Sequence, residues 1–267
     1  MKIIDCFPFY NELDLLNYRL NILNDAVDYF IIVEATHTHA GHAKELFFQK
    51  NRHMFAKFSS KIIHVVVDDF PHKYPDINYD KKEQWINEKF QRNCGGRGLS
   101  RISELHDDDL LIISDLDEIP DPRTLNNIKL SIKPDISVVS LEMHFYYYNL
   151  NSKIATAWYH AKLISINKLK ECNNVLDDVR FLDCKYIPNC GWHLSYFGDV
   201  KFIQNKLHNF SHQEFNTDKF TDPDIIANKI KTRTNLFDDM VFESSPVKSN
   251  PYLPIGYEKY LSKYYTY

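Results

Sequence analysis

Apolar residues recur along this chain with two periods. Short runs rich in Ile, Val and Leu, at Ile3–Phe9, Tyr29–Val33, Ile62–Val67 and Leu110–Ile113, are nearly continuous, as in strands covered on both faces. Between them the apolar positions fall at helical spacing. Leu13, Leu16, Leu20 and Leu23 mark a helix just after the first strand, a second helical segment runs from about Lys44 to Phe58, and a third starts near Lys81 and passes Trp85, Phe90, Cys94 and Leu99. This alternation of strand and helix predicts an α/β domain with a mostly parallel central sheet flanked by helices. Past Pro122, where another helix begins, Val138–Tyr148 is β-prone and dense in aromatics, Trp158–Ile166 is a further strand, and Gly191-Trp192-His193 leads into the apolar segment Leu194–Phe197. The remainder reads as amphipathic helix followed by a proline- and tyrosine-rich tail from about Pro246. We expect one domain over residues 1–245 and a C-terminal extension, residues 246–267, packing on the body or at an oligomer interface.

Acidic residues stand where the apolar runs stop. Glu12 lies just past the first strand, Glu34 ends the second, Asp68-Asp69 the third, and Asp115-Leu116-Asp117-Glu118 the fourth. Open α/β sheets bind ligands outside the carboxyl ends of their strands, so these carboxylates point to one edge. Three carboxylates within four residues repel one another, and a divalent cation, Mn²⁺ or Mg²⁺, accounts for their spacing; a solvated acidic turn is the alternative. Asp117 is the candidate for direct metal contact. Asp115, two residues earlier on the same face of an extended segment, is assigned to a ribose or to a metal-bound water, while Glu118 points elsewhere. Glu12 and Glu34 would lie along a bound nucleoside or cap helices. Three of the seven glycines cluster at Gly95, Gly96 and Gly98, which means close backbone approach or a broken helix. Arg92 and Arg97 beside them suit either a phosphate or a helix C-terminus. His37, His39 and His42 in one polar loop read as solvent-facing or substrate-contacting.

Composition narrows the classes. A chain of 267 residues with 44% hydrophobic content can bury a large core, and a net charge of -4 argues against nucleic-acid binding. The five cysteines are scattered without a C-x-x-C pair, so neither a zinc site nor a disulfide framework is indicated. No window approaches the roughly 18 apolar residues of a membrane span, and no targeting segment is visible; a cytoplasmic protein is expected. Richness in Asn, Lys, Ile and Tyr hints at an AT-rich genome, bacterial or viral.

Ordered motifs along most of the chain carry a resemblance. Asp5-Cys6-Phe7-Pro8-Phe9, Asn11 to Leu16, Val33-Glu34-Ala35-Thr36, Ile62 to Asp69, Gln91-Arg92-Asn93, Ile113 to Pro120, Gly191-Trp192-His193, Phe210-Ser211-His212 and Asn235-Leu236-Phe237 resemble glycosyltransferase family 17. That family includes β-1,4-mannosyl-glycoprotein β-1,4-N-acetylglucosaminyltransferases. The resemblance implies a GT-A-like fold, UDP-N-acetylglucosamine as donor, a glycan acceptor, a metal such as manganese, and inversion at the anomeric carbon. Donor contacts are expected among Pro8, Glu12, Glu34, Arg92, Asn93, Arg97 and Asp115, and the resemblance adds weight to His193 as a metal ligand beside Asp117 and Asp115, with His212 the next candidate.

The chemistry of glycosyl transfer agrees with this reading. Negative charge builds on the departing diphosphate, which a carboxylate-held cation neutralises. An inverting enzyme also needs a base for the acceptor hydroxyl, and Glu142, Asp177 and Asp178 are all candidates. The aromatic stretch ending in Tyr146-Tyr147-Tyr148 is either a sugar-stacking platform or a core strand with an exposed tyrosine edge. Two other classes are weighed. A sugar-nucleotide nucleotidyltransferase would carry a glycine-rich loop after its first strand, where Pro8 to Glu12 has no glycine, and a carbohydrate-binding protein would have no use for Asp115 and Asp117.

Overall fold

The continuous apolar runs lie side by side. In chain order the computed structural model, which describes residues 1–131, 136–237, 240–243 and 246–266, runs β1 (Ile3–Phe9), α1 (Leu13–Leu23), β2 (Tyr29–Ala35), α2 (Phe47–Lys50), β3 (Ile62–Val67), α3 (Glu83–Asn93), α4 (Gly95–Leu99), β4 (Leu110–Ile113), β5 (Glu118–Pro120) and α5 (Pro122–Leu130). It continues with β6 (Val138–Leu141), β7 (His144–Tyr147), β8 (Lys153–Ile154), β9 (Lys162–Ser165), α6 (Ile166–Glu171), α7 (Leu176–Val179), β10 (Tyr186–Ile187), β11 (Gly191–Ser195), α8 (Val200–Asn209), further short helices, and β12 (Phe242–Glu243).

Seven strands form one sheet in the order β10-β6-β9-β4-β1-β2-β3. The half made of β3, β2, β1 and β4 is parallel throughout, but β9 runs antiparallel to both β4 and β6. The sheet is therefore mixed, with β9 the strand that runs against its neighbours in an otherwise parallel arrangement. A continuous apolar run reports burial on both faces, and β9 is buried along its whole length while running the other way. Five more strands, β12-β8-β7-β11-β5, make a second sheet, antiparallel except for β7 beside β11.

Two expected elements divide. Val138–Tyr148 breaks after Leu141, β6 staying in the first sheet and β7 joining the second. The segment from Lys44 to Phe58 is one α-helical turn, α2, and a 3-10 run over Arg52–Phe58. The glycine cluster is a close approach: a Cβ on Gly95 would come within 2.5 Å of Cys6 Sγ, and one on Gly98 within 2.5 Å of Ile31 Cγ2, so α4 presses directly on β1 and β2.

The core lies on both faces of the large sheet. On one, Ile3, Phe7, Phe30, Ile32 and Ile112 meet Leu16, Leu20 and Leu23 of α1 and Leu125 of α5; on the other, Cys6, Ile31, Val33 and Ile113 meet Leu99 of α4 and Leu176 of α7. A third cluster joins the second sheet to Ile203 and Leu207 of α8. In the C-terminal tail, Leu261 is buried, Trp192 Nε1 donates to the Tyr252 carbonyl (2.8 Å), and Tyr18 Oη donates to that of Ile255 (2.9 Å). Regular helix in the tail is confined to one α-helical turn, Tyr257–Tyr260, and two 3-10 turns. No helix among the described residues is long and apolar enough to cross a membrane.

Candidate active site

A cleft of about 650 Å³ opens at the carboxyl ends of β1, β2 and β4 and is closed from the other side by β7, β11 and α8. Its floor is the turn between β4 and β5. Arg19, on the apolar face of α1 with Leu16, Leu20 and Leu23, is fully buried and holds this turn from beneath. Its Nε and Nη2 donate to Asp5 (2.8 and 2.6 Å), its Nη1 to the carbonyls of Asp115, Leu116 and Glu118 (2.7, 3.0 and 2.9 Å), and its Nη2 also to Ser114 Oγ (2.6 Å). Asp115 N donates to Glu118 Oε2 (2.8 Å) and Leu194 N to the Asp117 carbonyl (2.8 Å). With the backbone fixed in this way, the carboxylates of Asp115 and Asp117 both reach the cleft.

Asp115 bridges two arginines, Arg92 of α3 at 2.8 Å and Arg180 past α7 at 3.0 Å. Burial pushes its carboxyl upward, but the guanidinium of Arg180 and then that of Arg92 outweigh it and hold the group well below the carboxylate range. Arg180 also makes two bonds to Glu118 (2.7 and 2.8 Å), which in turn accepts Trp158 Nε1 (2.6 Å). Arg92 reaches Glu88 (3.1 Å) and Asp177 (2.5 Å), and its buried Nε has no partner among the described residues.

Asp117 faces a different set. Its Oδ2 lies 3.2 Å from Lys206 Nζ and its Oδ1 3.7 Å from His193 Nε2. Lys206 stands 3.9 Å from Glu12 and over the Tyr196 ring. Burial lowers the Lys206 ammonium's pKa, yet Asp117 and then Glu12 more than offset it, so the lysine stays charged. The His193 ring stacks on Phe145 (4.5 Å between centroids) beside Trp158, and burial lowers its pKa, leaving a neutral imidazole at pH 7. Deeper along α3, His39 Nε2 donates to Gln91 Oε1 (2.8 Å) while its Nδ1 faces Ser211 Oγ (3.0 Å), which also bonds Glu88. Gln91 Nε2 donates to the Val33 carbonyl (2.8 Å), which sets the amide's orientation and with it the His39 tautomer.

The expected site residues separate accordingly. Pro8, Glu12, Arg92, Asp115, Asp117 and His193 line the cleft, as do His37 and His39. Glu34 does not: its buried carboxylate accepts Phe48 N (2.7 Å), Gln49 N (3.3 Å) and His64 Nε2 (2.9 Å), so it caps α2. Arg97 turns to the surface and forms a two-bond pair with Asp69 (2.9 and 2.7 Å). Asn93 Oδ1 accepts Asp177 N (2.9 Å) and Asp177 is occupied by Arg92, so both serve the framework behind the cleft. Asp178 is exposed against Lys89, and Glu142 accepts Tyr159 Oη and Asn189 N outside the cleft. His212 lies at the cleft beside Trp85.

Arg19, Glu88, Arg180 and Lys206 complete the cleft although none of them stands in the acidic or glycine motifs of the sequence. Two of them carried a signal. Arg19 sits among leucines at i-3 and i+1, and Lys206 falls on the same helical stripe as Ile203 and Leu207, where a charge is out of place unless it is paired.

No group of three or more His, Cys, Asp or Glu able to hold a metal occurs among the described residues. The donors that fit one are Asp117 and His193, 3.7 Å apart, with Glu12 across Lys206. Two protein donors suit a cation whose remaining positions are filled by phosphate oxygens and water. Asp115, committed through both oxygens to guanidinium groups, does not belong to that set.

Comparison with known proteins gives this geometry a family. Over 122 residues the chain is 32% identical to beta-1,4-mannosyl-glycoprotein 4-beta-N-acetylglucosaminyltransferase of Rattus norvegicus and 32% identical to that of Homo sapiens. The matched stretch is 45% of this chain and 22% of each relative, so the chain aligns with about a fifth of their length. A sequence profile of glycosyltransferase family 17 matches residues 1–248, and the chain belongs to that family.

Proposed function

We propose that the cleft moves a sugar, N-acetylglucosamine from UDP-N-acetylglucosamine, onto a glycan hydroxyl with inversion, on a GT-A-like framework. The observation that carries this reading is the division of charge on the cleft floor. Arg92 and Arg180 present two buried guanidinium groups locked by Asp115, while Asp117 faces His193 and Lys206. Guanidinium forks match the oxygens of a diphosphate, and their fixed position means that no reorganisation is needed as charge builds on the leaving group. Pro8, Tyr10 and His37 at the ends of β1 and β2 form the wall along which a nucleoside lies. Mn²⁺ or Mg²⁺, when bound, supplies further positive charge at the diphosphate. Asp117 and His193 would hold it, and Lys206 adds a resident ammonium at the same place. Phe145, Trp158 and Tyr196 line the cleft beside these groups, and their apolar rings strengthen the charge contacts made there.

Calorimetric titration with UDP-N-acetylglucosamine, with and without Mn²⁺, followed by assay of UDP release, tests the proposal. Expected are Mn²⁺-dependent donor binding and its loss in Asp117→Asn. A wild-type protein that binds no UDP-sugar in Mn²⁺ overturns it.

A further inference from the structure

Of the two readings of the aromatic stretch, sugar platform or core strand, the structure bears out the core strand: Tyr146, Tyr147 and Tyr148 are buried. Aromatic rings meet solvent instead on the outer flank of the cleft. Trp158 and His160 line it with ring centroids 4.7 Å apart, and His160 stands 6.0 Å from Phe181, which also lines it. Phe181 is 69% exposed, although it directly follows Arg180, the residue that clamps Asp115 and Glu118. Between Trp158 and His160, Tyr159 (40% exposed) packs edge-on against Tyr186 (56% exposed) at 5.4 Å. The Tyr159 hydroxyl donates to Glu142 Oε1 (2.7 Å), and Asn189 N donates to Glu142 Oε2.

Three large rings left this exposed in one neighbourhood forgo the stabilisation that burial would give, which marks a surface kept for an occupant. The composition of the surface says which occupant. A protein-binding patch has an apolar centre depleted of charge, whereas here the Glu142 carboxylate and the His160 imidazole stand among the rings. A pyranose matches that mixture, with C–H groups on one face for an aromatic ring and hydroxyls around its edge for a carboxylate or imidazole. The surface is also continuous with the cleft, through Trp158, His160 and Phe181.

We propose that this ridge docks the acceptor glycan, with Phe181 under the sugar nearest the transfer site and the Tyr159–Tyr186 pair, with Glu142, under the next. The proposal rests on the transferase reading and gives Glu142 a role in binding sugar hydroxyls. Phe181→Ala and Tyr186→Ala remove exposed rings, so the variants should keep the wild-type melting temperature. Expected in the transfer assay is an acceptor KM at least tenfold higher in Phe181→Ala and several-fold higher in Tyr186→Ala, with the donor KM changed less than twofold. A second measurement uses a printed array of defined oligosaccharides. Wild type should bind some of them, and both variants should lose that signal. Wild-type acceptor KM in both variants overturns the proposal, and so does an array on which wild type binds no glycan or Phe181→Ala binds as well as wild type. Failure of the transferase reading alone appears differently, as a wild-type protein without UDP-sugar turnover whose array binding still depends on Phe181.

Discussion

Lys206 Nζ lies 3.2 Å from Asp117 Oδ2, so a protein ammonium neutralises the second carboxylate of the Asp-x-Asp turn. Glu12 shares the same ammonium at 3.9 Å. Any divalent cation held by Asp117 and His193 has to compete with Lys206 for that carboxylate. Lys206→Met should therefore destabilise the metal-free protein, by about 1–3 kcal/mol because the cleft admits water to the pair. Added Mn²⁺ should recover that loss, since a ligand that binds only the folded state stabilises it by an amount that grows with the logarithm of its concentration above Kd. Melting curves with and without Mn²⁺ check this: the Mn²⁺-induced rise should be larger in Lys206→Met than in wild type, and equal rises would remove Lys206 from the cation position.

Arg19 fixes the same turn from below. One buried guanidinium pairs with Asp5, donates to three carbonyls, and also serves Ser114 Oγ. Arg19→Met leaves the Asp5 carboxylate buried without its partner, which costs about 3–5 kcal/mol. Arg19→Lys should recover little of it, because a single ammonium cannot span a fork's acceptors. Urea unfolding of the three proteins tests the point; a lysine variant with the wild-type midpoint would show that the charge alone suffices.

The two arginines near the glycine cluster should part company under the same substitution. Arg92 is buried against Asp115, Glu88 and Asp177, whereas Arg97 pairs with Asp69 in the open. Arg92→Lys should lower donor affinity tenfold or more, and Arg97→Lys should leave it unchanged while costing at most about 1 kcal/mol of stability. Calorimetry with UDP-N-acetylglucosamine reads both. Equal losses in the two variants would place Arg97 at the donor after all.

How much of this was legible in the sequence follows from what each signal encodes. The runs Ile3–Phe9, Ile62–Val67 and Leu110–Ile113 coincide with β1, β3 and β4, because burial on both faces leaves an unbroken apolar string. Strand direction leaves no such mark, and β9 therefore went unrecognised as antiparallel. The Asp-x-Asp turn was visible as acid after an apolar strand. Its partners were less so, since Arg180 and Lys206 lie 65 and 89 residues beyond the carboxylates they bond and reach them only through the fold. Glu34 and Arg97 lie outside the cleft for a related reason. Position at a strand or helix end is readable, but the direction of the side chain there is not, and the fold turns Glu34 to the start of α2 and Arg97 to Asp69.

The Arg180–Glu118 pair makes the fold's stability depend on acid pH. Burial drives the Glu118 carboxyl up, but the guanidinium of Arg180 outweighs it and brings the group from 4.5 down to about 2; Asp115, held by the same arginine, is lowered as well. A carboxyl depressed in the folded state contributes stability that is fully present above its unfolded pKa, near 4.5, and is lost as pH falls through its folded pKa, near 2. For Glu118 alone this amounts to on the order of 3 kcal/mol. In Arg180→Leu the opposing charge is gone and burial dominates, so Glu118 takes up its proton at or above the ordinary carboxylate range. That variant should be less stable at pH 7, and its stability should fall less steeply than that of wild type between pH 4.5 and pH 2, where Asp115 still pairs with Arg92 but Glu118 no longer contributes. Urea unfolding at pH 5.0, 4.0 and 3.0 compares the slopes; parallel curves for the two proteins would mean that Arg180 does not hold the Glu118 proton off in the folded state.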